Sequence, residues 1–112
     1  MNSVIHNKKA EKVSQENKIK IRRSISLISF WEGNEFVVEN FLTNKQTTIS
    51  ALIAYILQKI DTYLSKYAVL DLFKNVPAAN EVVSRLIQQD ILVVEGSATH
   101  LISIMSSGNA RR

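Results

Sequence analysis

Two histidines, ten carboxylates and no cysteine are the groups from which this chain could build chemistry. Without cysteine there is no thiol nucleophile, no disulfide framework and no thiolate metal site. His6 lies in a polar N-terminal stretch and His100 in a short segment near the other end, and no spacing pairs them as ligands on one helix. The carboxylates are scattered, and none forms an acid–base couple with another. Gly33, Gly96 and Gly108 are each isolated, so no glycine-rich loop can cradle a phosphate. The serines have no neighbouring base that would activate them. The expectation is a protein that is not an enzyme and carries neither metal nor cofactor.

Binding chemistry is better represented. Phe30, Trp31, Phe36 and Phe41 could stack on the bases of a single-stranded nucleic acid. They stand among Glu32, Glu35 and Glu39, however, in segments where a core needs large residues, so they read as core. Arg85 could reach a phosphate or a base edge from a recognition helix. Its neighbours Glu81, Ser84, Gln88 and Gln89 make a solvated intrahelical pair the simpler reading. Charge distribution points the same way. Residues 1–23 carry seven Lys/Arg against two Glu, whereas residues 24–110 carry five Lys/Arg against eight Asp/Glu. A nucleic-acid binder usually keeps positive charge on its folded reading surface, and here that part of the chain is mildly acidic. A winged-helix DNA-binding regulator with a basic arm is therefore the alternative reading, not the first.

The elements that must position any site begin with Ser24–Ser50, SISLISFWEGNEFVVENFLTNKQTTIS. Val, Ile, Phe, Trp and Thr suit a pleated, half-buried surface. Glu32-Gly33-Asn34 and Thr43-Asn44-Lys45 interrupt them with residues that tolerate hairpin turns. Three antiparallel strands follow from this, the first extending back to Ile19, with a change of apolar parity near Ser26–Ser29 that implies a bulge or burial on both faces. The third strand, Gln46–Ile49, is expected at an edge. Such an edge is either blunted by Lys45 and its short length or used to pair with an extended peptide.

Helices come afterwards. Ser50 reads as the N-cap of a first helix with Ile49, Leu52, Ile53, Ile56 and Ile60 as its apolar stripe. Ser65 caps a second helix running to Lys74, with Tyr67, Leu70 and Phe73 inward. Pro77 suits the first turn of a third helix running to about Asp90, whose buried face is Ala79, Val82, Val83, Leu86 and Ile87. Ile91–Val94, a turn at 95–98 and a returning strand at Leu101–Met105 complete a short wing. The expected fold class is α+β and winged-helix-like: a three-stranded antiparallel sheet, three helices and a C-terminal β-wing. Residues 1–22 are expected to be a basic arm, 23–105 the domain and 106–112 a polar tail. No stretch approaches the roughly 18 apolar residues of a spanning helix and no secretory signal is legible, so a cytoplasmic location without membrane contact is expected.

This order of elements, and the stretches FWEGNEFVVENFLTNKQTTIS and AANEVVSRLIQQDILVVEG in particular, resembles the recognition element of ribosomally made, post-translationally modified peptide pathways. That family includes the PqqD-like proteins, and the likeness is greatest to the N-terminal domain of SagB-type azoline dehydrogenases. It covers roughly residues 22–98. The resemblance implies an adaptor that binds the leader segment of a precursor peptide beside the third strand, in a groove closed by the third helix. Carried over by position, it puts Lys45, Gln46, Thr47, Thr48 and Ile49 on the strand side and Val82, Arg85, Ile87, Gln88 and Gln89 on the helix side. It also implies partner enzymes such as a cyclodehydratase or a flavin-dependent dehydrogenase. Nothing in these 112 residues could hold a flavin, so the chain is expected to be a standalone recognition protein or a piece of a larger enzyme. A structural domain that dimerises through its edge strand is the third reading, and the oligomeric state is left open.

Overall fold

The computed structural model describes residues 18–97 and residue 99. The described residues form an α+β structure with three helices and two small antiparallel sheets of three strands each. Strands β1 (Lys20–Arg23), β5 (Leu64–Ser65) and β6 (Leu92–Val94) form one sheet in the order β5-β1-β6. Strands β2 (Leu27–Glu32), β3 (Glu35–Asn40) and β4 (Lys45–Thr48) form the other, in the order β2-β3-β4. Helices α1 (Ala51–Gln58), α2 (Lys66–Leu72) and α3 (Ala79–Gln88) lie between β4 and β6 in the chain.

The three-stranded antiparallel sheet expected from the sequence is β2-β3-β4, but the run from Ile19 read as its first strand is divided between two sheets. The parity change near Ser26 is not a bulge within one strand but the place where the chain leaves one sheet for the other. Ser24 and Ser26 are buried there, and the Ser24 Oγ accepts the Ser26 amide at 3.0 Å. The domain also begins earlier than residue 23, because Lys20–Arg23 is a paired strand of the fold.

Two turns set the register of the β2-β3-β4 meander. Gly33 has φ 63 at the first central position of the β2–β3 turn, the position that a type II′ turn reserves for glycine. Between β3 and β4, the Asn40 Oδ1 accepts the Leu42 and Thr43 amides at 3.0 and 3.3 Å, and Asn44 takes φ 61. An asparagine side chain that imitates a backbone turn is the local reason for this loop.

The helix caps follow the expected chemistry in two cases out of three. Ser50 Oγ accepts Ile53 N–H at 3.2 Å and Ser65 Oγ accepts Ala68 N–H at 3.1 Å, satisfying amides the first turn leaves free. Pro77, by contrast, precedes the third helix, which starts at Ala79 behind a left-handed Ala78 with φ 55 and no side-chain cap. That helix ends in a Schellman arrangement. Asp90 at φ 61 donates to the Ile87 carbonyl at 3.1 Å, and Ile91 donates to Leu86 at 2.9 Å.

Ile21, Val38, Ile53, Ile56, Leu57, Ile60, Val69, Phe73, Val83, Leu86, Ile91 and Leu92 make the core. Two expected core positions on the helices move to other residues. Leu57 replaces Leu52, which is 48% exposed, and Val69 replaces Tyr67, which is 52% exposed. The larger correction concerns the aromatics. Trp31 is 70% and Phe41 49% exposed, while Phe30 and Phe36 are half-buried. Branched aliphatics fill most of the interior, and of the hairpin's rings Phe36 packs against this core while Trp31 stays exposed. The returning strand at 101–105 lies outside the described residues.

Candidate functional site

Which backbone groups β4 offers follows from its register. Asn40, Val38 and Phe36 pair with Lys45, Thr47 and Ile49, and the Ile49 amide donates to the Phe36 carbonyl at 2.9 Å. In an antiparallel ladder, bonded and unbonded pairs alternate. Lys45, Thr47 and Ile49 therefore direct their amides and carbonyls at β3, and Gln46 and Thr48 direct theirs away from it. No strand among the described residues pairs with that outer side. Gln46 and Thr48 are exposed, and the Thr48 hydroxyl donates to Glu35 Oε2 at 3.4 Å.

The strand and the third helix are brought together at one point. Lys45 Nζ donates to the Gln88 carbonyl at 3.4 Å and lies 3.6 Å from Asp90 Oδ2. A cation beside the last carbonyls of a helix complements the negative end of its dipole. Lys45 thus does not blunt the edge; it ties the start of β4 to the end of α3.

Behind this tie sits a polar hub that sequence reasoning missed. Asn40 has no exposed surface, and its Nδ2 donates to the Asp90 carbonyl at 2.8 Å and to Ser24 Oγ at 3.3 Å. One side chain joins β3, the crossover between the sheets and the end of α3. The available signal was parity: Phe36 and Val38 point inward, so Asn40 is a polar residue at a core position. For Asp90 the signal was an aspartate between a helical pattern and an apolar run, where a left-handed C-terminal residue is common.

The ten carried-over positions divide. Lys45, Gln46, Thr48, Arg85 and Gln88 are exposed and Thr47 and Gln89 partly so. Ile49 is in the core at 6% exposure, so only its backbone belongs to the strand. At 100° per residue, Val82, Arg85 and Gln89 line one flank of α3. Ile87 falls on the opposite flank, where it lines a small cavity of about 280 Å³ with Asp90, Leu92, Val94 and Ser97. One groove cannot use both flanks.

A second concavity lies across the meander, between the inner face of β2–β3 and α1. Leu27, Ser29, Phe36, Val38, Ala54 and Leu57 are among the residues around a cavity of about 280 Å³. Trp31, Phe36, Ala51, Ala54, Tyr55 and Gln58 line an adjoining one of about 320 Å³. Trp31 and Phe36 meet at 5.2 Å with their planes tilted by 59°, and Lys59 Nζ sits 4.5 Å from the Tyr55 ring centre.

Among the described residues no group of His, Asp or Glu could hold a metal ion, and no helix is long and apolar enough to cross a membrane. Comparison with protein-family models, curated proteins and solved structures returned no match.

Proposed function

We propose that the chain is a non-catalytic peptide-binding module, which captures the leader segment of a ribosomally made precursor as a strand added to β4 and presents the remainder to separate modifying enzymes. The observation that carries this reading is the outward-facing, unpaired backbone of Gln46 and Thr48 beside the end of α3. An incoming strand gains main-chain bonds there, and in this reading the side chains of Arg85, Gln88 and Gln89 select its sequence. In this reading β1, β6 and the three helices are the winged-helix half of a recognition element, and β2-β3-β4 is the half that holds the peptide.

Micromolar affinity asks for about 8 kcal/mol, within reach of a short augmented strand with a few apolar anchors. Thr48→Pro is the sharpest test. The Thr48 amide makes no bond to β3, so proline leaves the β3–β4 ladder whole and removes one outward donor. The variant is expected to keep its circular dichroism and melting profile and to bind a leader peptide about tenfold more weakly, roughly 1.4 kcal/mol. A folded Thr48→Pro protein that binds as tightly as the parent removes β4 from the site. An NMR titration with a peptide and, separately, a DNA duplex distinguishes the regulator reading, which requires duplex-induced shifts along α3 and a steep salt dependence.

A further inference from the structure

The meander has a second free edge. The Phe41 amide donates to the Ser26 carbonyl at 2.9 Å, so bonded pairs along β2–β3 fall at Ile28, Phe30 and Glu32. Leu27, Ser29 and Trp31 consequently turn their amides and carbonyls away from β3. Edges are normally blunted with lysine, proline or a bulge. Leu27–Trp31, LISFW, contains no charge, proline or glycine and pairs with β3 without a bulge. Its flanks are exposed and apolar, with Ile28 at 47% and Trp31 at 70%.

From this we infer that β2 is the two-fold interface of a homodimer, pairing antiparallel with β2 of a second copy about Ser29. Three features select a second copy of this chain. First, the segment reads apolar, apolar, serine, apolar, apolar, and is thus self-complementary under a two-fold axis, which brings each residue opposite its mirror position. Leu27 meets the partner's Trp31 on the inner face and Ile28 meets the partner's Phe30 on the outer face. Ser29, the smallest side chain, stands at the axis. Second, the charges match. Arg23 borders the same cavity as Leu27 and Ser29 near the start of β2, and Glu32 ends that strand, so antiparallel pairing brings Arg23 of one copy toward the acidic end of the other. Third, the cavity of about 280 Å³ bordered by Leu27 and Ser29 lies on the inner face, where the partner's Trp31 arrives. The result is a continuous six-stranded sheet with β4 at both of its outer ends.

Cysteine is absent from the chain, so a single introduced thiol reports the geometry without background. Directly opposed residues in a bonded antiparallel pair have Cα atoms about 5.5 Å apart, within disulfide range. Ser29→Cys in the full chain is expected to form an inter-subunit disulfide under mild oxidation, while Gln46→Cys on the other edge is not. Sedimentation velocity over a concentration series should show the parent as a dimer at micromolar concentration. Ser29→Pro, which removes an outward amide, and Ile28→Lys, which charges the interface, should each be folded monomers. A parent that stays monomeric throughout overturns the assignment. So does crosslinking through Gln46→Cys instead of Ser29→Cys, or a dimer that persists in both folded interface variants.

Discussion

Asn40 is the side chain on which the two sheets depend for their mutual placement. Replacing it with alanine leaves the buried Asp90 carbonyl and the part-buried Leu42 and Thr43 amides without their present partner. Each stranded group costs about 1–3 kcal/mol, so Asn40→Ala is expected to lower stability by about 3 kcal/mol. Urea unfolding should show a lower midpoint with an unchanged slope. Tyr63 supplies a test with pH. Burial, reinforced by the charge of Glu95 and opposed by Arg22, raises its phenol above the ordinary 10.0. A raised folded value means that the native state holds the proton more tightly than the unfolded chain. The resulting stability is complete below pH 10.0 and is lost as pH rises from there through the folded value. Tyr63→Phe should remove that alkaline loss, read as the difference between the two proteins' unfolding curves above pH 10.0. Neither residue stood out in the sequence, because each owes its role to groups distant along the chain.

At the scale of elements, local chemistry was the legible part. Ser50 and Ser65 announced their helices, and the Gly33 turn and the Asn44 loop fixed the meander, because caps and turns are decided by residues within a few positions. What local chemistry could not decide was which strands share a sheet. The run from Lys20 to Glu32 alternates almost continuously, and only the burial of Ser24 and Ser26 against Asn40 divides it. The aromatics misled for a related reason: Trp31 has the composition of a core residue but lies next to the β2–β3 turn, in an open concavity shared with Ala51 and Tyr55 of α1. Of the candidate site, the β4 edge was legible from strand count; the tie through Lys45 to Gln88 and Asp90 was not. One element carries visible strain. Ala78 sits at φ 55 ahead of α3, a region costing a non-glycine residue roughly 1–2 kcal/mol, and alanine is a poor N-cap. Ala78→Gly is expected to raise stability by about 0.5–1 kcal/mol despite the added freedom of the unfolded chain, measurable as a higher urea midpoint.

Over the whole molecule, the two sheets differ in how far the chain travels to make them. β2, β3 and β4 are joined by short turns, whereas β1 meets β5 only after α1 and β6 only after all three helices have been laid down. That closure places the first and last strands among the described residues side by side, and the Lys20 carbonyl accepts the Glu95 amide at 2.9 Å. The fold is thus entered and left through one doorway. A host protein could carry it as an insertion in a surface loop whose two ends hardly separate, and transplantation of that kind is tolerated where the ends of a unit are close together. Both outer strands of the meander belong to the other sheet, so a tether attached at the doorway takes up neither of their edges.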